Sequence, residues 1–517
     1  MASLPSKADM APPQTVESFR KNQAENYDVS RWVRCSVLIL LTTAAALLDL
    51  HAIGQKSVWL DEGVSIELAR LGWYNFLRIL WRHEANMVLY YVLLRGWLVF
   101  GSSEAWIRTL SVIPAVATVP AVYALGRRLF DSRVGLIAAL LLAVNAYEVR
   151  YAQEARSYSL YPFLCGLSSI YFLKLLQEPT RRNRIGHVLS SALSVYAHFF
   201  AGLLMVAQWI SLRMLNRPDL RVQTKRNWKQ FAIAISPLVL YVATTGTGVL
   251  KWIPRPGISD LRNTALFLTG NGGVWLTLAY AAACIPGVIA AVRERKLQAS
   301  WEGWRFRFLL LWLLFPIAFI FLVSQLKPFY LIRYFVFVLP ALVLLAASGL
   351  GRLRSRWLLG AALVLLGMLS LRGVAGFYQQ DFDITREDWR SATSYLLQHA
   401  ETGDAVLFHQ PIGRMPYEYY KSVIQASSSP EVIYPRSGDG LTYRDFYARH
   451  AQDAFLRTVP PSYRRLWVVL IYTQTPSGPD PTTRFLTDLF GREYTRTQTE
   501  NFPGIELRLY ETGAPIK

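Results

Sequence analysis

Long apolar runs separated by short basic clusters fill the first 372 residues. A helix needs roughly 20 apolar residues to cross a hydrocarbon core of about 30 Å. Such runs fall at 33–53, 106–126, 133–149, 157–177, 185–199, 200–214, 230–250, 272–292, 306–325, 333–350 and 356–372, which predicts eleven spans. The basic clusters are Arg31/Arg34, Arg127/Arg128/Arg133, Arg181/Arg182/Arg184, Arg213 to Lys229, Arg293/Arg295/Lys296 and Arg352/Arg354/Arg356, and eleven spans place them all on one side. By the positive-inside rule that side is cytoplasmic. The count needs 185–214 to form two short helices turning at Tyr196-Ala197-His198. It also leaves out the apolar segment 85–100, because Arg95 at its middle would cost roughly 2.5 kcal/mol or more at a bilayer centre. Residues 54–105 are therefore expected on the outer face, with interfacial helices near 63–82 and 85–100 that keep Arg95 in water.

After residue 372 the pattern becomes that of an ordinary water-soluble segment. A helix is predicted over 386–400, capped by Thr385 and with Glu387 and Asp388 suited to its positive end. Strands are predicted at Asp404–His409, Glu431–Tyr434, Arg465–Thr473 and Ile505–Tyr510, with Pro, Gly and Ser in the loops between them. The chain thus divides into a cytoplasmic segment (1–32), a transmembrane domain (33–372) and a small α/β domain (373–517), which the odd span count puts outside. The basic N-terminal segment and the absence of a small-residue cleavage site make the first apolar run an uncleaved helix.

Composition agrees: 52% of the 517 residues are hydrophobic and only 17% are charged, outside the range of a soluble domain. The net charge of +20 does not point to nucleic acid, since Lys and Arg are scattered between apolar runs instead of gathered on one face. Cys35, Cys165 and Cys284 lie far apart inside apolar runs, a spacing that indicates neither a disulfide framework nor a thiolate zinc site.

The topology sorts the polar residues. On the outer side stand Asp61, Glu62, Glu67, His83, Glu84, Asn86, Tyr90, Tyr91, Arg150, Tyr151, Gln153, Glu154, Arg156, Tyr158, His198, Lys251, Arg255, Lys327, Tyr330, Arg333 and Tyr334. Acids, phosphate-binding cations and stacking aromatics share one membrane depth. Each group also has a plain structural use. Asp61 and Glu62 suit a solvated loop, while Arg150 to Arg156 and Lys327 to Tyr334 suit interfacial anchors. Against that, Asp61-Glu62 directly follows a span end, where amphiphilic substrates meet protein, and guanidinium groups bind phosphate in a bidentate fork. His83 and His198 lack a metal-ligand spacing.

Several segments carry a family resemblance. They are Trp59-Leu-Asp-Glu62, Asn86-Met-Val-Leu-Tyr-Tyr-Val-Leu-Leu-Arg-Gly-Trp97, Ile107-Arg-Thr-Leu-Ser111, Gly126-Arg-Arg-Leu-Phe130 and Tyr151-Ala-Gln-Glu-Ala-Arg-Ser-Tyr-Ser-Leu160. They resemble membrane glycosyltransferases of the GT-C class, of the protein mannosyltransferase/aminoarabinose transferase-like group of bacteria. Arg386-Glu387-Asp388-Trp389-Arg390 resembles that group's extracytoplasmic domain. One departure is Met87-Val88, where many relatives carry Pro-Pro.

The resemblance implies a polytopic α-helical fold of GT-C type with a C-terminal extracytoplasmic α/β domain, multi-pass in the inner or plasma membrane with its N-terminus cytoplasmic. It implies transfer of a sugar, with inversion, from a polyprenyl-phosphate carrier to an acceptor hydroxyl of a lipid, glycan or protein. On that model Asp61 is the general base, Glu62 positions the acceptor or holds Asp61, and Glu154 is a second acid. Arg156, Arg333 and Lys327 stabilise the departing phosphate. Asn86, Tyr90, Tyr151, Gln153, Tyr158 and His198 complete the expected substrate-binding set. A divalent ion could bridge acids and phosphate, though no residue pattern establishes one. The alternative is a transporter or flippase of a lipid-linked or anionic solute. Such proteins tend to show related halves and broken helices at the midplane, whereas the charges here gather on one face.

Overall fold

The computed structural model describes residues 16–215, 218–245, 253–293, 301–380, 386–424, 428–435, 441–449, 451–475 and 478–512. Residues 33–53 lie at the end of α1 (Val16–Leu50) and in the turns that follow it. The outer segment then folds as three short helices, α2 (Leu60–Arg70), α3 (Trp73–Arg82) and α4 (Val88–Trp97). The predicted pair differs because Leu71-Gly72 breaks the first helix in two and because α2 starts earlier, taking Asp61 and Glu62 into its first turn. Arg95 is not in open water. Its Nη1 donates to the carbonyls of Ala69 (2.8 Å) and Leu71 (2.5 Å), closing the C-terminus of α2, and its guanidinium lies 4.1 Å from the Trp73 ring centroid. A cation there meets the orphan carbonyls and negative end of a helix.

Helices α5 (Glu104–Leu129), α6 (Ser132–Ala143) and α7 (Ala146–Ala152) follow, with side-chain caps from Ser103, Asp131 and Asn145. A 62° bend separates α6 from α7. Asn145 fixes that bend, accepting from the Tyr147 and Glu148 N–H groups while donating to the Leu268 carbonyl. Next come α8 (Leu160–Gln177), α9 (Arg181–Ala197), α10 (Ala201–Arg213), α11 (Pro218–Thr245), α12 (Ile258–Leu268), α13 (Val274–Arg293), α14 (Trp301–Val323), α15 (Leu339–Leu350) and α16 (Arg356–Gln379).

The protein is a multi-pass membrane protein. Among the described residues seven helices are long and apolar enough to cross a membrane, and the bent pair α6–α7 makes an eighth candidate. The other three predicted runs fall on α9, α10 and α11, with 246–250 of the last run outside the described residues. At 17 and 13 residues, α9 and α10 are shorter than a full span, and the chain reverses between them at His198–Phe200. Of the cysteines, Cys165 is buried and Cys35 exposed, and all three are free thiols.

The C-terminal part is a small α/β unit. Strands β1 (Ala405–Phe408), β2 (Glu431–Tyr434), β3 (Arg465–Ile471), β6 (Arg496–Phe502) and β7 (Ile505–Glu511) form one mixed sheet, ordered β2-β1-β3-β7-β6, while β4 (Gln474–Thr475) and β5 (Gly478–Pro479) form a separate ladder. Strand β6 escapes the sequence pattern because Arg-Thr-Gln-Thr-Glu-Asn-Phe is a polar, largely exposed edge strand without alternation. The predicted helix at 386–400 begins later, as α17 (Trp389–His399), because Asp388 is its cap and accepts the Ser391 N–H. Thr385 lies outside the described residues.

This unit rests on the outer helices. α18 (Arg414–Val423) approaches α2 so closely that a Cβ at Gly63 would lie 2.8 Å from the Pro416 Cα. The loop before α2 is gripped from both sides. Arg390 donates to the carbonyls of Gly54, Gln55 and Lys56 and to Glu104, while Arg108 donates to those of Ile53, Lys56 and Ser57.

Candidate active site

Glu62, Arg108 and the turn after α7 set the position of Asp61. Glu62 is fully buried. Its carboxylate takes a two-pronged bond from Arg108, at 2.9 Å from Nε and 2.7 Å from Nη2, and accepts the N–H groups of Ala155 (2.7 Å) and Trp59 (3.4 Å). Burial raises the proton affinity of this carboxyl, and Arg108 and the bond from Ala155 overcome the rise, so it stays ionised below the usual carboxylate range. Glu62 thus ties α2, α5 and the Glu154–Arg156 turn together.

One residue earlier, Asp61 faces the opposite way. Its Oδ2 lies 3.2 Å from Arg333 Nη1 and 3.8 Å from Arg156 Nη2. Burial pushes its carboxyl up, but Arg333, Arg156 and Arg386 outweigh it and hold the group below its ordinary range. Arg156 also donates to Ser65 Oγ (3.1 Å) and to the Tyr91 hydroxyl (3.3 Å), and that hydroxyl donates to Glu84 (3.1 Å). Burial raises the Glu84 carboxyl, with Arg156 and the Tyr91 bond opposing.

Beside Asp61 opens a cavity of about 370 Å³, with Trp59, Arg150, Tyr151, Glu154, Arg333 and Arg386 among its walls. Glu154 is 1% exposed, pairs with Arg386 and lies 3.8 Å from Arg150, and its Oε2 has no hydrogen-bond partner among the described residues. The guanidinium groups of Arg386 and Arg333 lie 4.4 and 5.5 Å from the Trp59 ring centroid. Arg150, Arg333 and Arg386 share the cavity walls with Glu154 and Asp260, and Arg156 stands with Asp61 beside them. Asp260 is partly used, since its Oδ2 accepts the Gly257 N–H. The cluster is positive overall, which suits an anion. Among the described residues no three His, Cys, Asp or Glu side chains converge as a metal cage.

The structure gathers Asp61, Glu154, Arg156, Arg333 and Tyr151 at this place, with Glu62 behind them. Tyr158 is fully buried with its ring 5.0 Å from that of Tyr151 and, among the described residues, no hydrogen-bond partner for its hydroxyl. Asn86 and His198 form a neighbouring pair, Nδ2 to Nε2 at 3.3 Å, with the His198 ring stacked on Tyr161. Three expected residues point elsewhere. Gln153 donates to the carbonyls of Asp49 and His51, tying α1 to α7. Tyr90 turns into α5 and bonds Ser111. Lys327 stays exposed beyond the end of α14, outside the cavity walls. Lys251 lies outside the described residues.

Arg386 and Trp59 were not among the predicted ligands. Arg386 is brought in by its neighbour Glu387, whose Oε2 accepts the Leu60 N–H (3.2 Å) at the start of α2 and whose Oε1 accepts from Tyr472 (2.7 Å). The one sequence signal for it was the Arg386-Glu387-Asp388-Trp389-Arg390 motif.

A family model described as dolichyl-phosphate-mannose-protein mannosyltransferase matches residues 85–244. No curated protein matches the chain. Among solved structures, ArnT from Cupriavidus metallidurans in the apo state superposes with a TM-score of 0.63 at 13% identity, covering 93% of this chain and 98% of that one. ArnT from the same organism bound to undecaprenyl phosphate gives 0.61 at 12% identity, with the same coverage. The oligosaccharyltransferase of Archaeoglobus fulgidus, in complex with zinc and sulfate, gives 0.50 at 11% identity over 84% of this chain and 67% of that one. The chain resembles these GT-C proteins in fold, and ArnT over nearly the whole length of both chains.

Proposed function

We propose that the protein is a glycosyltransferase that takes a sugar from a polyprenyl-phosphate carrier and transfers it, with inversion, to an acceptor hydroxyl on the outer face of the membrane, with Asp61 as general base. One observation carries this reading. A carboxylate held by two arginines stands beside a positively charged, aromatic-walled cavity, in a fold shared with ArnT, whose structure holds undecaprenyl phosphate.

The carrier's phosphate would be received by Arg333 and Arg156, with Arg386 and Arg150 alongside. An acceptor oxygen attacks the anomeric carbon as the bond from that carbon to the phosphate oxygen breaks. The electron pair of that bond leaves with the lipid phosphate, where arginines already in place meet the growing charge. The acceptor's proton passes to Asp61. In the free protein Asp61 is a weak base, because the arginines hold its carboxyl low. A bound phosphate would draw the same arginines and add negative charge, so Asp61 gains basicity when the donor is in place. Glu62 serves by position, since its oxygens already hold Arg108 and two backbone N–H groups.

The test is release of polyprenyl phosphate by purified protein given a polyprenyl-phosphate sugar and an acceptor extract. Asp61→Asn should lower release by roughly 10²- to 10⁴-fold, the usual share of general-base help, with thermal unfolding unchanged. Glu67→Gln, facing α18 away from the cavity, should retain it. Undiminished release from Asp61→Asn would remove Asp61 as the base.

A further inference from the structure

A second cavity, of about 580 Å³, lies between the end of α10 and the first half of α11, with Trp209, Arg213, Lys225, Trp228 and Lys229 in its walls. We propose that it binds the phosphate headgroup of an anionic phospholipid, in the leaflet opposite the transfer site.

Position comes first. α10 starts beside the active site, next to His198 and its partner Asn86. At 1.5 Å per residue its 13 residues carry the chain about 20 Å away, to Arg213. The cavity therefore belongs to the far end of the helix bundle. The lining comes next. Among the described wall residues three are cationic and none is acidic. Two tryptophans flank the cations, with the Arg213 guanidinium 4.6 Å from the Trp209 ring centroid. Cations for a phosphate beside indoles at the lipid-water boundary are what a phospholipid headgroup and its glycerol region require.

The walls are also held in place by a buried polar chain that has no part in the transfer chemistry. Asn227 bonds His187, whose Nε2 pairs with Gln208 Oε1 at 2.9 Å, and Gln208 donates to Ser168. These residues link α11, α9, α10 and α8. The Trp228 ring meets that of His187 edge to face, so the cavity is built on a fixed joint of four helices. A free phosphate would use only the cations, whereas a lipid uses the aromatic walls too, and the cavity offers both.

The experiment compares phosphatidylglycerol, phosphatidylcholine and inorganic phosphate added to delipidated protein in detergent, read by native mass spectrometry and thermal unfolding. Wild type should retain phosphatidylglycerol and melt higher with it, while phosphatidylcholine and phosphate do neither. The triple variant Arg213→Gln/Lys225→Gln/Lys229→Gln should bind that lipid roughly 10- to 100-fold more weakly. Arg181→Gln/Arg182→Gln, which removes two cations elsewhere on the same side, should bind as wild type does. If the triple variant misfolds, Trp209→Ala alone should lower retention. Equal stabilisation by phosphatidylcholine or by phosphate, or equal losses from the Arg181/Arg182 pair, would overturn the proposal.

Discussion

Asp61 and Glu62 are neighbours with opposite surroundings: Glu62 closes a buried two-pronged pair with Arg108, while Asp61 is 24% exposed and meets two arginines at longer range. The difference sets a pH prediction. A base must be ionised, so activity falls as pH drops through its pKa, and the arginines push that pKa down. Arg333→Gln removes the cation 3.2 Å from Asp61 and should move the acid limb of kcat/KM to higher pH while raising KM for the donor. A pH-rate profile of the variant decides it, and an unmoved limb would mean that Arg333 does not govern the base. At this scale the sequence was informative wherever topology alone sorted residues by side. Asp61, Glu154, Arg156 and Arg333 came to one depth because helix ends place them there. It failed where side-chain direction mattered. Gln153 shares the turn of Glu154 yet points back at the α1 carbonyls, and Arg386 enters only through docking of a segment more than two hundred residues away.

Helix α2 joins the membrane part to the C-terminal unit, and its inner charge makes that joint sensitive to pH. Glu67, 7% exposed, bonds Arg70 at 2.8 Å and lies near Glu418 of α18, and burial pushes its carboxyl up to about 7. A folded-state pKa above the unfolded value of 4.5 means stability that is fully present below about 4.5 and is lost as pH rises to about 7. The protein should therefore melt lower as pH rises from about 4.5 to about 7 and level off above that, the whole fall being on the order of 3 kcal/mol or less. Glu67→Gln, which cannot ionise, should flatten that slope. Thermal unfolding across this range checks it, and parallel curves for the two proteins would exclude Glu67 as the source. Element positions were largely readable, since long apolar runs and alternating strands announce themselves. The split of α2 from α3 and the polar edge strand β6 were not, because a cation capping α2 from another helix and pairing along a sheet edge are tertiary facts.

At the scale of the whole molecule, the contacts between the first outer segment and the C-terminal unit tie two sides of the topology into one question. Glu387 bonds the start of α2, Arg390 holds the loop before it, and α18 packs on α2, so these parts must lie on the same face of the membrane. Among the described residues seven helices qualify as spans by length and composition, the bent α6–α7 pair is an eighth, and α9, α10 and α11 lie where three more crossings are needed to reach an odd total. The short α9–α10 pair decides the parity. If it enters and leaves the membrane as two crossings, the chain crosses eleven times and the two termini lie on opposite sides. If it were one continuous crossing, the basic stretch from Arg213 to Lys229 would move to the face that holds the active site. A reporter active only outside the cytoplasm should therefore be active when fused after Lys517 and silent when fused before Met1 or inserted between Met214 and Pro218. Activity of the inserted reporter would reverse the crossing of α9 and α10 and place the proposed phospholipid cavity and the proposed transfer site in the same leaflet.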